Sequence, residues 1–287
     1  MARLSPTTYR VVTGTAFGSL CTIVLTGALV RLTGSGLGCV DWPRCSESKF
    51  IDVSTGHTFI EQANRLFTGV VSFSVIAAVL LSHLTTPKRK DLIWLSWSLV
   101  AGVVAQIVIG GVVVLTGLNP FANMAHFLVS LVLVTASFVL MRRAGNTTST
   151  SYIRALPSPL LRNVYVLLVF AVVTLVTGTV VTATGPHAGN EDAVRFGFSL
   201  GSVARIHSVS MIVTLGAVIY VLVMSRRVAN DAAIESTQTL LFATLLQAAI
   251  GYTQYFTHVP AALVAAHIAG ALFFYVSALN IIVQPST

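Results

Sequence analysis

Charge is what this chain has least of. Only 9% of its 287 residues are Asp, Glu, Lys or Arg, against 55% apolar, and the mean hydropathy is +0.84. A water-soluble domain carries roughly a quarter charged residues, so the composition excludes an ordinary soluble fold. The seventeen Lys and Arg outnumber nine acids for a formal charge of +8. They are scattered over short segments and build no basic stripe, which excludes a nucleic-acid partner. Cysteine is equally sparse, at three residues. Cys39 and Cys45 are six apart, which fits no common zinc pattern, and Cys21 sits in an apolar run as a small apolar residue.

What remains is long apolar runs. Stretches able to cross a hydrocarbon core of about 30 Å occur near residues 11–30, 66–84, 92–115, 121–141, 164–183, 206–224, 239–256 and 259–283. They predict an all-α integral membrane protein of eight transmembrane helices. The first run resembles a signal peptide in position, but it lacks a small-residue cleavage site and has an internal counterpart, so it is expected to be retained.

Basic residues set the expected orientation. Arg3, Arg10, Lys88, Arg89, Lys90, Arg142, Arg143, Arg154, Arg162, Arg226 and Arg227 fall in alternate connecting segments. These are predicted to be cytoplasmic, with both termini inside the cell membrane. Asp41, Glu47, Asp52, Glu61, Glu191 and Asp192 then fall toward the outer side.

An internal repeat organises the chain. Thr26-Gly27-x-x-Val30-x-x-Thr33-Gly34 in the first run matches Thr177-Gly178-x-x-Val181-x-x-Thr184-Gly185 in the fifth, and Gln106-x-x-x-Gly110 in the third matches Gln247-x-x-x-Gly251 in the seventh. His126 lies 20 residues after Gln106, and His267 lies 20 after Gln247. Paired segments share one predicted direction, so the repeat is parallel. The reading is two four-helix bundles, residues 1–145 and 163–287, joined by a polar cytoplasmic linker over 146–162.

His126, His207 and His267 all fall toward the outer ends of their helices. In a four-helix bundle the sixth and eighth segments run the same way, so His207 and His267 can approach one site from two sides. Neutral imidazoles are good ligands for haem iron, and bundle interiors hold such cofactors. The competing reading is that each is a hydrogen-bonding residue between helices. His57, His187 and His258 are assigned to outer loops and turns, and His83 to the cytoplasmic interface.

The second segment breaks the symmetry. Where the sixth has His207 it has Asn64, within Glu61-Gln-Ala-Asn64-Arg65. Glu61, Asn64 and Arg65 share one helical face. They are either a carboxylate and a guanidinium facing the cavity of His126, or an ion pair at the water boundary. On the first reading the first half holds a haem with one histidine ligand and one open face, the coordination of a reacting haem. The outer loop places Cys39 and Cys45 where they can form a disulfide, with two free thiols as the alternative.

Taken together, the Thr-Gly-x-x-Val-Arg-x-Thr-Gly-Ser-Gly stretch, the Cys39/Cys45 pair, the Glu-x-x-Asn-Arg motif and the three histidines resemble the haem A synthase family over nearly the whole chain. Asn64, where many members have His, resembles the actinobacterial-type variant. The resemblance implies oxidation of the C8 methyl of haem O to a formyl group. It further implies a haem b on His207 and His267 as electron carrier, and the substrate site in the first half with His126 as its iron ligand. Within that frame Glu61 is the expected catalytic residue and Asn64 lines the haem site. Arg31 and Arg65 are expected to pair with substrate propionates, and Arg205 with those of the second haem. Expected partners are haem O, membrane lipid, a haem O synthase upstream, and an electron acceptor that the sequence does not identify, quinone being one candidate. Two rivals stand beside this: a membrane cytochrome that only relays electrons to or from quinone, and a transporter. The parallel repeat, without a broken charged midplane helix, speaks against the transporter.

Overall fold

The computed structural model describes residues 4–146 and 154–283. Eight helices follow one another: α1 Pro6–Leu32, α2 Gly56–Ser82, α3 Lys90–Leu115, α4 Pro120–Ala144, α5 Ser158–Thr184, α6 Leu200–Arg227, α7 Asp231–Phe256 and α8 Ala261–Ile282. Among the described residues no strand forms beyond an isolated bridge between Leu4 and Thr85. Seven helices are long and apolar enough to span a bilayer, so this is a multi-pass membrane protein. The exception is α7, whose 26 residues include Gln238, Gln247, Gln254 and four threonines. Trp94 and Phe73 are exposed to 75% and 74%, a cost in water that disappears against lipid.

Several helices begin before their apolar runs. α2 starts at Gly56, α6 at Leu200 and α7 at Asp231, because a helix continues through the headgroup layer, where polar turns remain solvated. Thr55 caps α2 with a reciprocal bond to Thr58. Glu61, Asn64 and Arg65 are therefore well inside α2. Arg3 and residues 147–153 of the expected 146–162 linker lie outside the described residues.

The chain divides into two compact units. In one, α1 packs on α2 and α4, and α3 on α2 and α4; in the other, α5 packs on α6 and α8, and α7 on α6 and α8. Each is thus a closed four-helix ring. The segment His187–Val194, between α5 and α6 in the chain, groups with the first unit. There the Gly36 N–H donates to Gly189 O at 2.8 Å, and Ala193 joins Val113 and Leu118 in a small core. The main core of this unit runs from Tyr9 and Leu92 through Leu99 and Leu133. At the end away from the histidines, Asp91 pairs with Arg89 at 2.6 Å and Arg143 at 2.7 Å.

The turns repeat as well as the helices. Gly117 and Leu118, after α3, have φ of 63° and 63°; His258 and Val259, after α7, have 64° and 61°. These are left-handed pairs at matching places, and only the first uses a glycine.

Candidate functional site

In the second unit, the His207 and His267 rings stand 6.3 Å apart between centroids, with planes at 84°. They come from α6 and α8, which are not neighbours in the ring of helices, so the imidazoles meet across the bundle interior. Metal–imidazole bonds of about 2 Å on either side of one ion put opposed ring centroids about 6 Å apart. Among the described residues no group of three or more His, Cys, Asp or Glu gathers to hold a metal. An ion held between these two imidazoles would need further ligands that the described residues do not supply, and porphyrin nitrogens would fit that need.

Neighbouring side chains fix the rings. Thr177 Oγ1 lies 3.2 Å from His207 Nδ1, 2.9 Å from Thr174 O and 2.9 Å from Ser210 Oγ. The Ser210 hydroxyl donates to His207 O at 2.7 Å. The single Thr177 hydrogen is taken by Thr174 or Ser210, so its oxygen accepts from His207 Nδ1–H. That leaves Nε2 with its lone pair, the tautomer a metal requires. His267 is placed by Gln247, whose Nε2 donates to His267 O at 2.9 Å. Its Nδ1 is buried without a hydrogen-bond partner. Gly178 and Gly251 make room: a Cβ on either would lie 3.1 Å from the Cε1 of His207 or His267.

The first unit repeats half of this. Gln106 Nε2 donates to His126 O at 3.0 Å and to Ser130 Oγ at 2.9 Å. The ring of His126 faces Gly110, with Cε1 3.5 Å from a Cβ built there, and its Nδ1 is likewise buried without a partner. Across from it the pattern changes. Thr26, the counterpart of Thr177, donates to Asn64 Oδ1 at 2.8 Å, so Asn64 takes the place of His207 in the bond as well as in the repeat. A Cβ on Gly27, the counterpart of Gly178, meets no atom within 4 Å. The shorter Asn64 leaves the imidazole slot open.

Glu61 and Arg65 are brought together, and the sequence-derived outer loop is fastened to them. Glu61 is 5% exposed. Its Oε1 accepts from Arg65 Nη2 at 2.6 Å and Nε at 3.0 Å, and its Oε2 accepts the Cys39 N–H at 2.7 Å. Arg65 spends its other donors on Asp41 O at 3.1 Å, Arg44 O at 3.0 Å and Cys39 O at 3.4 Å. All five guanidinium N–H groups are used. Cys39 and Cys45 are joined in a disulfide. The loop between them sends Trp42 against Gly111, where a Cβ would lie 2.9 Å from the indole. Adjacent glycines of α3 thus receive Trp42 and His126.

Two further arginines differ from Arg65. Among the described residues Arg31, near the end of α1, forms no ion pair, and its stem packs beneath Gly189. Arg205, exposed on α6, donates from Nε to Gly201 O at 3.1 Å. His57 shares a 2.9 Å hydrogen bond with Ser35 Oγ. His83 is the residue that ends α2, far from the site, and His258 sits in the turn before α8. The roles of Thr26, Thr177 and the two glutamines were missed from sequence. The constant 20-residue step from Gln to His was the signal for the latter.

A family model described as cytochrome oxidase assembly protein, COX15-CtaA, matches residues 10–54 and 50–279. Among curated relatives, the chain is 33% identical over 122 residues to a haem A synthase of Geobacillus thermodenitrificans, covering 42% of this chain and 38% of the relative. It is 35% identical over 119 residues to one from Lysinibacillus sphaericus, covering 41% and 39%. With the haem A synthase of Exiguobacterium sibiricum it shares 27% identity over 168 residues, covering 57% and 55%. In the first two the chain spans about two-fifths of the relative's length.

Proposed function

The chain belongs to the cytochrome oxidase assembly family COX15-CtaA, the family of the haem A synthases, and from that premise we propose that it converts haem O to haem A. The observation that carries this reading is the asymmetry of two otherwise matching sites: an imidazole pair in one half, and in its repeat His126 with Asn64 bonded to Thr26 where the second imidazole would be. The paired site, with haem b on His207 and His267, suits electron transfer. The other suits a substrate haem O held by His126.

The reaction takes the C8 methyl of haem O to a formyl group in two rounds. Each round removes two electrons and two protons overall and adds one water oxygen, first giving the hydroxymethyl, then a hydrated aldehyde that loses water. Four electrons leave in all, to an external acceptor, and His207 and His267 would hold the group that passes them on. A bound haem b supplies one-electron redox chemistry to that path.

Around the substrate, Arg31 is the guanidinium still available for a propionate, since the donors of Arg65 are spent on Glu61 and the loop. Arg205 serves the second haem in the same way. Glu61, paired with Arg65, stabilises positive charge developing on the oxidised carbon and accepts a proton from the incoming water. The disulfide loop closes the outer end of this half with Trp42. Haem O, with its isoprenoid tail, enters from lipid and is handed on from a haem O synthase.

Co-expression with a haem O synthase, followed by mass identification of the extracted haems, tests the activity. Haem A or hydroxylated haem O is the expected product, and haem O alone would refute it. One observation favours the rival, a relay cytochrome: the Glu61–Arg65 pair serves the loop so fully that it reads as a structural clamp. The same extraction separates the two, because a relay leaves haem O untouched.

A further inference from the structure

The two halves differ by one ring, and the space it would take is open beside Gly27. In the second half the space beside Gly178 is filled by His207, whose Cε1 would lie 3.1 Å from a Cβ there. In the first half the corresponding space beside Gly27 holds nothing within 4 Å of such a Cβ. The polar lining is present nonetheless. Thr26 Oγ1 stands where Thr177 binds the imidazole N–H of His207, and here it donates 2.8 Å to Asn64 Oδ1. With Oδ1 so engaged, Asn64 Nδ2 keeps both hydrogens and has no partner among the described residues.

We propose that the slot bounded by Thr26, Gly27 and Asn64 is a binding site for a small neutral ligand of imidazole size or less, facing His126 across the first half. Its chemistry is that of a nitrogen or oxygen donor that also takes part in hydrogen bonds. Water fits it in the resting protein, with its oxygen accepting from Asn64 Nδ2. Free imidazole fits it as a replica of the missing side chain, its N–H returning to Thr26 as that of His207 does to Thr177. The inference rests on the reading that His126 ligates a haem in this half. It adds that the opposite face is exchangeable, and names the residues that make it so. Asn64 acts here as a positioning residue, and its substitution by His would make the ligand intramolecular.

The test is an imidazole titration of the full-length protein, purified in detergent from cells that make haem O and followed by its optical spectrum. The low-spin signal of the His207/His267 site serves as an internal check of folding in every variant. Wild type is expected to show a His126-dependent high-spin component that imidazole converts saturably to low spin. Gly27→Leu fills the slot and should weaken imidazole binding by about tenfold or more, the factor that ~1.4 kcal/mol makes. Asn64→His should be low-spin without imidazole and unresponsive to it. A high-spin component that is lost in His126→Ala, yet unmoved by imidazole in wild type or equally responsive in Gly27→Leu, overturns the slot while leaving the His126 reading intact. If His126→Ala removes no haem signal, that reading falls and the slot with it.

Discussion

A carboxylate locked to a guanidinium four residues on, and bonded to a backbone N–H of a disulfide loop, is expensive to place in a membrane helix. Glu61 is such a group, and its two oxygens answer to different partners. Glu61→Gln keeps the shape and removes the charge. The variant should fold, retain the His207/His267 haem, and stall at haem O or the hydroxymethyl stage. Normal haem A yield would reduce Glu61 to a clamp. Arg65→Ala should be the more damaging change to the loop, because it strips five hydrogen bonds and leaves a buried carboxylate unpaired, a loss on the order of 3–5 kcal/mol. Faster proteolysis between Cys39 and Gly56 reports it. For the haem pair, His207→Ala or His267→Ala should each abolish the low-spin spectrum, whereas His83→Ala should not. Survival of the full spectrum in both ligand variants would remove the second-half site. The ligand candidates were readable as residue types at matching positions. What the sequence hid was the hydroxyl behind each of them, since Thr26 and Thr177 look alike until one is seen bonding an amide and the other an imidazole.

At the scale of helices, the step of 20 residues from Gln to His has a mechanical cause. Gln106 lies nine residues before the end of α3, and His126 six after the start of α4, joined by a left-handed turn; Gln247 and His267 stand in the same relation to α7 and α8. In each hairpin the glutamine amide reaches across to the carbonyl of the histidine, so it sets the depth at which the ring sits. Gln247→Leu removes that bond without changing length much. It should cost about 1 kcal/mol and lower the temperature at which the low-spin haem is released, while Gln106→Leu leaves that temperature unchanged. Equal effects of the two would mean the bonds serve packing in general. This register was legible as a repeat distance. The helix starts were not, because apolar runs mark the hydrocarbon layer and stop short of the polar turns that carry Glu61, Asn64 and the first turns of α6. α7 shows the opposite limit: its apolar run over 239–256 marked a helix, yet its Gln and Thr content leaves it the one of the eight not apolar enough over an 18-residue stretch to count as a span.

For the molecule as a whole, the scarcity of charge turns each connecting segment into a topological statement. Lys88, Arg89, Lys90, Arg142, Arg143 and Arg154 gather on one set of connections, and Arg89 and Arg143 further share Asp91 there. That ion cluster ties together one end of α3 and α4, while the disulfide loop and His187–Val194 lie at the opposite end of the same unit. Positive charge resists translocation, and a disulfide requires an oxidising compartment, so the two features make independent demands that agree on one orientation. Alkaline phosphatase fused after Cys45 should be active, and fusions after Lys90 or Arg154 should be inactive, with green fluorescent protein giving the reverse pattern. A cytoplasmic result at Cys45 would set the two demands against each other. The loop would then face a reducing compartment, the Cys39–Cys45 bond would not persist, and the fastening of Glu61 and Arg65 to that loop would lose its covalent support.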